Sequence, residues 1–236
     1  MKLHSVGMSL MALGLLLVTA VVEAATPSAP SIGRVSRITG DQLSSAQAQG
    51  APVRKLAAGD PVFAGDRIRT GAGTVLYIEF TDKSRFTLGP NTEFEVEQYV
   101  EEAFHSRVFK GAFRFVSGLT ARRKPENMRV NIPVATIGIR GTQVEGEVTE
   151  RQEKDGRTVD ASARVVLLEP EGSGASAIVV ENKFGSVVID KPGYGTEIPD
   201  EKSPPSPVQR MQLRTIDNVL RTLRTPGGTG GPARRP

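Results

Sequence analysis

The chain has 236 residues, a formal net charge of +4, no cysteine, no tryptophan and 5% aromatic residues. Without thiols there is no disulfide framework, no thiolate metal site and no lipid-modified cysteine of the lipoprotein kind. The cationic residues are dispersed and lack interleaved aromatics, which argues against a nucleic-acid surface.

In chain order, residues 1–25 read as a secretory signal. Lys2 supplies the positive start, an apolar stretch runs from about Val6 to Val22, and Ala24 and Ala25 offer a small-residue cleavage site. An uncleaved anchor is the alternative, because a span needs about 20 apolar residues. Gly7, Ser9, Gly14 and Thr19 inside the stretch favour cleavage. The expectation is a periplasmic or secreted protein with no stable membrane span after processing. Residues 26–31 form a short leader.

From Ile32 the hydrophobic period is two. Val35 and Ile38 begin the first strand region, and the small polar run 42–52 reads as a surface loop. Two Ala-Gly-Asp turns follow, Ala58-Gly59-Asp60 and Ala64-Gly65-Asp66, each leading to a branched apolar residue, Val62 or Ile68. Thr74, Leu76, Ile78 and Phe80 share one face of a strand. Asp82-Lys83-Ser84 then turns the chain, because Asp and Ser side chains bond nearby backbone amides. Phe86 and Leu88 return inward, so 78–88 is predicted as a hairpin. Phe94 and Val96 point inward while Glu93, Glu95 and Glu97 point out.

Residues 108–116 form another strand, with Gly111 as a bulge or turn. A basic connector spans 118–127. Met128, Val130 and Ile132 alternate up to Pro133, and two strands flank Arg140-Gly141-Thr142. Asp155-Gly156 is a hairpin turn. Runs at 165–168 and 177–180 surround a Gly/Ser loop, and 187–189 and 193–195 close the sheet region. Short strands separated by frequent turns predict an all-β body, a β-roll, sandwich or short solenoid. Its main part spans 32–149, with closing strands of the same body over 150–198.

The tail changes character. Four prolines between Pro199 and Pro207 predict an extended linker over 199–206. Ser206 reads as an N-cap and Pro207 as a first helical residue, giving an amphipathic helix over 207–225. Residues 226–236 read as a disordered tail.

Catalytic equipment is sparse. Asp60, Asp66 and Asp82 could form a carboxylate pair or an oxygen-ligand Ca²⁺ site. Each sits beside Gly or Ser, where a turn role bonding backbone amides weighs more. His105 has no nucleophile motif near it. Arg140 and Thr142, around Gly141, could contact an anion or a partner. The competing reading is a tight turn whose arginine pairs with Glu145 or Glu147. No catalytic residue, metal ligand or cofactor is expected. Gly59, Asp60, Gly65, Asp66, Asp82 and Gly141 are expected as structural turns.

Five signatures in order carry a family resemblance. They are Leu56 to Asp60, Gly65 to Thr70, Leu76 to Thr92, Lys110-Gly111-Ala112-Phe113, and Ile132 to Thr142. Together, from about Gly33 to Val148, they resemble the FecR domain family of bacterial extracytoplasmic proteins. The resemblance implies a β-rich domain without enzymatic activity. Its best-known members are membrane regulators of sigma factors, with a cytoplasmic helical region before a membrane span. Here a signal peptide stands in that place. The expectation is an exported, non-enzymatic binding or scaffold protein of the cell envelope, contacting a protein partner or an envelope glycan. The alternative is an extracytoplasmic signalling regulator related to FecR-type systems.

Overall fold

The computed structural model describes residues 30–40, 43–100, 103–169 and 176–211. The expected signal peptide, most of the leader, the Gly/Ser loop and the tail beyond 211 lie outside the described residues.

The chain builds two hydrogen-bonded layers by alternating between them. β1 (Gly33–Thr39) lies in the first layer, and β2 (Ser44–Gln47) pairs with β3 (Arg54–Leu56) in the second. β4 (Pro61–Val62) returns to the first and β5 (Arg67–Arg69) to the second. β6 (Val75–Phe80) and β7 (Arg85–Leu88) form a first-layer hairpin, and β8 (Glu93–Val100) is second-layer. β9 (Ala103–Val116) belongs to both. A short helix, α1 (Leu119–Arg123), and a 3₁₀ turn lead to β10 (Met128–Ile132) and β11 (Ala135–Arg140), both second-layer.

β12 (Gln143–Thr149) crosses to the first layer. A separate small hairpin, β13 (Gln152–Lys154) with β14 (Arg157–Val159), leads into β15 (Ser162–Leu168), again first-layer. β16 (Ala177–Asn182) and β17 (Gly185–Ile189) end the second layer. β18 (Tyr194–Ile198) and β19 (Gln209–Arg210) end the first.

Neighbours in the first layer run β4-β1-β6-β7-β9-β12-β15-β18-β19. In the second they run β3-β2-β5-β8-β9-β10-β11-β16-β17. Beyond the edge strands β4 and β3, both orders advance with the chain. The all-β body therefore winds forward like a short solenoid while its layers face each other as a sandwich. Strands on both sides of residue 149 share these layers.

β9 makes the junction. Its first half pairs with β8 and, in parallel, with β10; its second half pairs with β7 and β12. The change of layer falls at Gly111, where φ is +98°, just past Phe109, at which the register against β8 shifts. A side chain there would meet Thr92 backbone at 2.5 Å, so the bend requires glycine.

Period-two alternation turns one face of each strand into a common core. Phenylalanines stitch the layers together. Phe86 on β7 meets Phe94 on β8 with ring centroids 4.5 Å apart, and Phe80 meets Phe104 at 4.9 Å. Phe113 and Phe115 join them, all at 0–1% exposure. Such pairs contribute about 0.5–1.5 kcal/mol each beyond the area they bury.

Three local expectations change. The run 42–52 contains β2, whose inward residues Ser44 and Ala46 are buried but too small to show a hydrophobic period. The connector 118–127 folds into α1 and the 3₁₀ turn. The helix expected from 207 does not begin there, since Gln209–Arg210 is a strand on β18. Ser206 is not its N-cap: its hydroxyl accepts the Glu197 N–H at 2.9 Å, across the chain. The rest of that expected helix, 212–225, lies outside the described residues.

The segment expected as a linker, 199–206, is extended and fastened to the body. The Ser206 N–H donates to Glu197 O at 2.9 Å, and Asn182 Nδ2 donates to Ser203 O at 2.8 Å. Pro205 is buried.

Candidate functional site

The twin Gly-Asp turns use one device. In the first, the Asp60 carboxylate accepts the Ala57 N–H at 2.7 Å, and Gly59, at φ +95°, donates its N–H to Val35 O at 2.8 Å. In the second, Asp66 accepts the Phe63 N–H at 2.8 Å, and Gly65, at φ +79°, donates to Val96 O at 2.8 Å. Each carboxylate closes its own turn, and each glycine ties that turn to a neighbouring strand. The turns differ in burial. Asp66 is 1% exposed and also pairs with Arg54, whose guanidinium offsets the desolvation of a buried carboxylate.

Asp82 does more than turn the chain. Its carboxylate accepts the Ser84 N–H at 2.9 Å and the Ser84 hydroxyl at 2.8 Å. Ser84 Oγ accepts the Gly118 N–H at 3.0 Å, and Asp82 O accepts the Leu119 N–H at 2.8 Å. The turn thereby receives the start of α1. A Cβ on Gly118 would stand 2.2 Å from Asp82 O, so only glycine fits. Tyr99 completes the cluster. Its hydroxyl accepts the Asp82 N–H at 2.8 Å and lies 2.7 Å from Thr81 Oγ1. Burial, with the nearby Asp82 carboxylate, raises the pKa of this phenol and keeps it neutral.

The three aspartates are thus engaged at separate turns and do not form a carboxylate pair. Among the described residues, no group of three or more His, Cys, Asp or Glu side chains is placed to hold a metal ion.

Arg140 ends β11 in the second layer and is exposed. Gly141, at φ +59°, carries the chain across to β12. Thr142 is buried, and its hydroxyl accepts a hydrogen bond from Ser176. The expected Arg140–Glu145 pair is absent because the chain changes layers between them. Glu145 meets Arg114 at 3.1 Å instead.

The layer ends complete the geometry. β4 is two residues long and begins with Pro61, and β3 is three residues with two cations. Both are short or proline-bearing, as protected edges are. β18 is covered by 206–211. Among the described residues, β17 presents five residues paired on one side, to β16. Beside it, Gly138, Val179 and Val188 are directly opposed across β11, β16 and β17. Val188 is 60% exposed, and the Gly138 Cβ position has nothing nearer than Val179 at 3.9 Å. This makes a shallow apolar strip, bordered by Arg140 on one side and by Thr136, Glu181 and Ser186 on the other. Sequence reading picks out Arg140 but not the strip, whose members lie on three strands.

The described residues form a two-layered β body with carboxylate-closed turns and an unpaired outer edge at β17. No helix among the described residues is long and apolar enough to cross a membrane. Residues 66–169 match the family model described as FecR protein. FecR proteins are associated with the cell envelope and with signalling there. An uncharacterized protein of Treponema pallidum (strain Nichols) is similar, at 27% identity over 153 residues. That match covers 62% of this chain and 22% of the relative's length.

Proposed function

We propose that this chain is an exported, non-enzymatic binding module of an envelope signalling-related system, and that it receives an extended segment of a protein partner along β17. The observation that carries this reading is that, among the described residues, β17 is paired on one side only, beside an apolar strip. An added strand would bond the free backbone groups of β17. Its alternate side chains would lie along Val188, Val179 and Gly138, and Arg140 would meet a carboxylate at the border. A periplasmic or secreted location gives the edge access to envelope proteins. The sites described hold backbone in place and offer no nucleophile–base pair, which supports a role in binding.

The test uses the processed chain as bait for envelope extract, beside three variants. Val188→Lys places a charge on the strip, Arg140→Glu reverses the border charge, and Lys55→Glu changes the opposite edge. The expected result is one captured set shared by the unaltered and Lys55→Glu baits and lost from the other two. Capture of the same set by all four would reject β17 as the binding edge.

A further inference from the structure

A cleft of about 200 Å³ opens on the outer face of the first layer, the layer opposite β17. Two cross-strand rows form it. Arg37, Tyr77, Thr87 and Arg114 are directly opposed across β1, β6, β7 and β9, and the row continues to Glu145 on β12. Beside it run Arg34, Glu79, Arg85, Val116 and Gln143 on the same five strands. Their neighbours Ile78, Phe86, Phe115 and Val144 belong to the core, so both rows point outward.

The lining chemistry is one-sided. Tyr77 and Thr87 bring hydroxyls, Gln143 an amide, Arg85 and Arg114 guanidiniums, and Val116 an apolar surface. Among the described residues, no Asp or Glu lines the cleft. Over the two rows, Arg34, Arg37, Arg85 and Arg114 outnumber Glu79 and Glu145. Arg85 and Arg114 have interactions of their own, Arg114 with Glu145 at 3.1 Å, so they contribute positive charge to the cleft and not vacant donors. The Tyr77 hydroxyl differs. It is buried and has no hydrogen-bond partner among the described residues, while Arg37 holds the ring from 4.0 Å. An unpaired buried hydroxyl is costly, and an oxygen that bonds it gains accordingly. By volume the cleft takes roughly seven waters, more than a bare carboxylate or phosphate displaces.

We infer that this cleft binds one anionic sugar unit. An oxygen of its carboxylate or phosphate accepts the Tyr77 O–H, its ring lies against Val116, and its hydroxyls meet Thr87 and Gln143. A uronate and a sugar phosphate supply the same chemistry. The site lies in the other layer from β17, so it is separate from the strand-binding edge.

The full chain, isotope-labelled, is titrated with glucuronate, glucose 6-phosphate, inorganic phosphate and glucose. Binding is read from the amide shifts of Tyr77, Thr87 and Gln143. The expected result is saturable shifts with glucuronate, glucose 6-phosphate or both, and at least tenfold weaker binding of inorganic phosphate and of glucose. A preference between the two acids supports the inference either way and assigns the anionic group. Tyr77→Phe, which removes only the hydroxyl, should weaken the better acid about tenfold and leave the thermal midpoint of the unliganded chain unchanged or higher. Val188→Lys, in the other layer, should bind as the unaltered chain does. No saturable shift at these amides with any of the four probes would overturn the inference. Inorganic phosphate binding as well as the acids would also overturn it, as general attraction to arginines, and so would full affinity in Tyr77→Phe or a loss in Val188→Lys.

Discussion

β17 and β18 are each a five-residue strand at the same end of the body, and they meet their surroundings differently. β18 is followed by a segment that turns back on it. Ser206 bonds Glu197, Gln209 opposes Gly195, and Arg210 opposes Tyr194. Among the described residues β17 pairs with β16 alone; Pro204 lies beside Gly185 at its start, and Val188 in its middle is exposed. Among the described residues, the chain thus pairs its own backbone along β18 and not along β17. Protected edges suppress unwanted pairing, and the binding role proposed for β17 rests on the lack of such protection there among the described residues.

Four substitutions break or sharpen this contrast. Gly195→Val should have the largest effect, because its Cβ would fall 2.3 Å from Val165 O and onto Met211. A loss of about 3 kcal/mol is expected from overpacking, read as a lower thermal midpoint. Asn182→Ala comes next. Its amide donates to Val134 O and Ser203 O, and its Oδ1 accepts the Phe184 and Gly185 N–H groups. Removing these bonds should cost about 2 kcal/mol, seen in urea unfolding, with faster amide exchange over 199–206.

Ser206→Ala leaves the Glu197 N–H without its acceptor and should cost about 1 kcal/mol. Val188→Lys should change stability by no more than about 0.5 kcal/mol, as a surface change on an unpaired edge. A larger cost for Val188→Lys than for Ser206→Ala, measured side by side in urea, would show that the two edges are not protected unequally.

Much of the layered body was legible because period-two runs and Gly-Asp turns are local signals. Val35, Leu76, Ile78, Phe86, Leu88, Phe94 and Val96 all point inward as their alternation implies. The turn roles of Asp60, Asp66 and Asp82 follow from their neighbours. What local pattern could not convey was pairing at a distance. Nothing near Asp82 announces that it receives Gly118, or that Tyr99 closes the cluster. Tyr99 lies just past the register shift between Val96 and Gln98, so a break in the glutamate alternation was the only trace. Ser206-Pro207 misled for a related reason. A hydroxyl before proline is a helix start only when the following amides are its nearest donors, and here the Glu197 amide is.

The strip beside β17 was hidden because opposition across strands is not written in any one of them. Arg140 stood out as a turn residue. Its place at the border of an apolar surface depends on Ala177 and Val188 arriving from later in the chain.

β9 carries a further consequence. A single uninterrupted segment contributes hydrogen bonds to both sheets and bends between them at Gly111. Neither sheet can come apart while the other keeps its full complement of ladders. Denaturation should therefore run as one concerted step, and a tug on either end of that segment would be felt on both faces of the molecule at once.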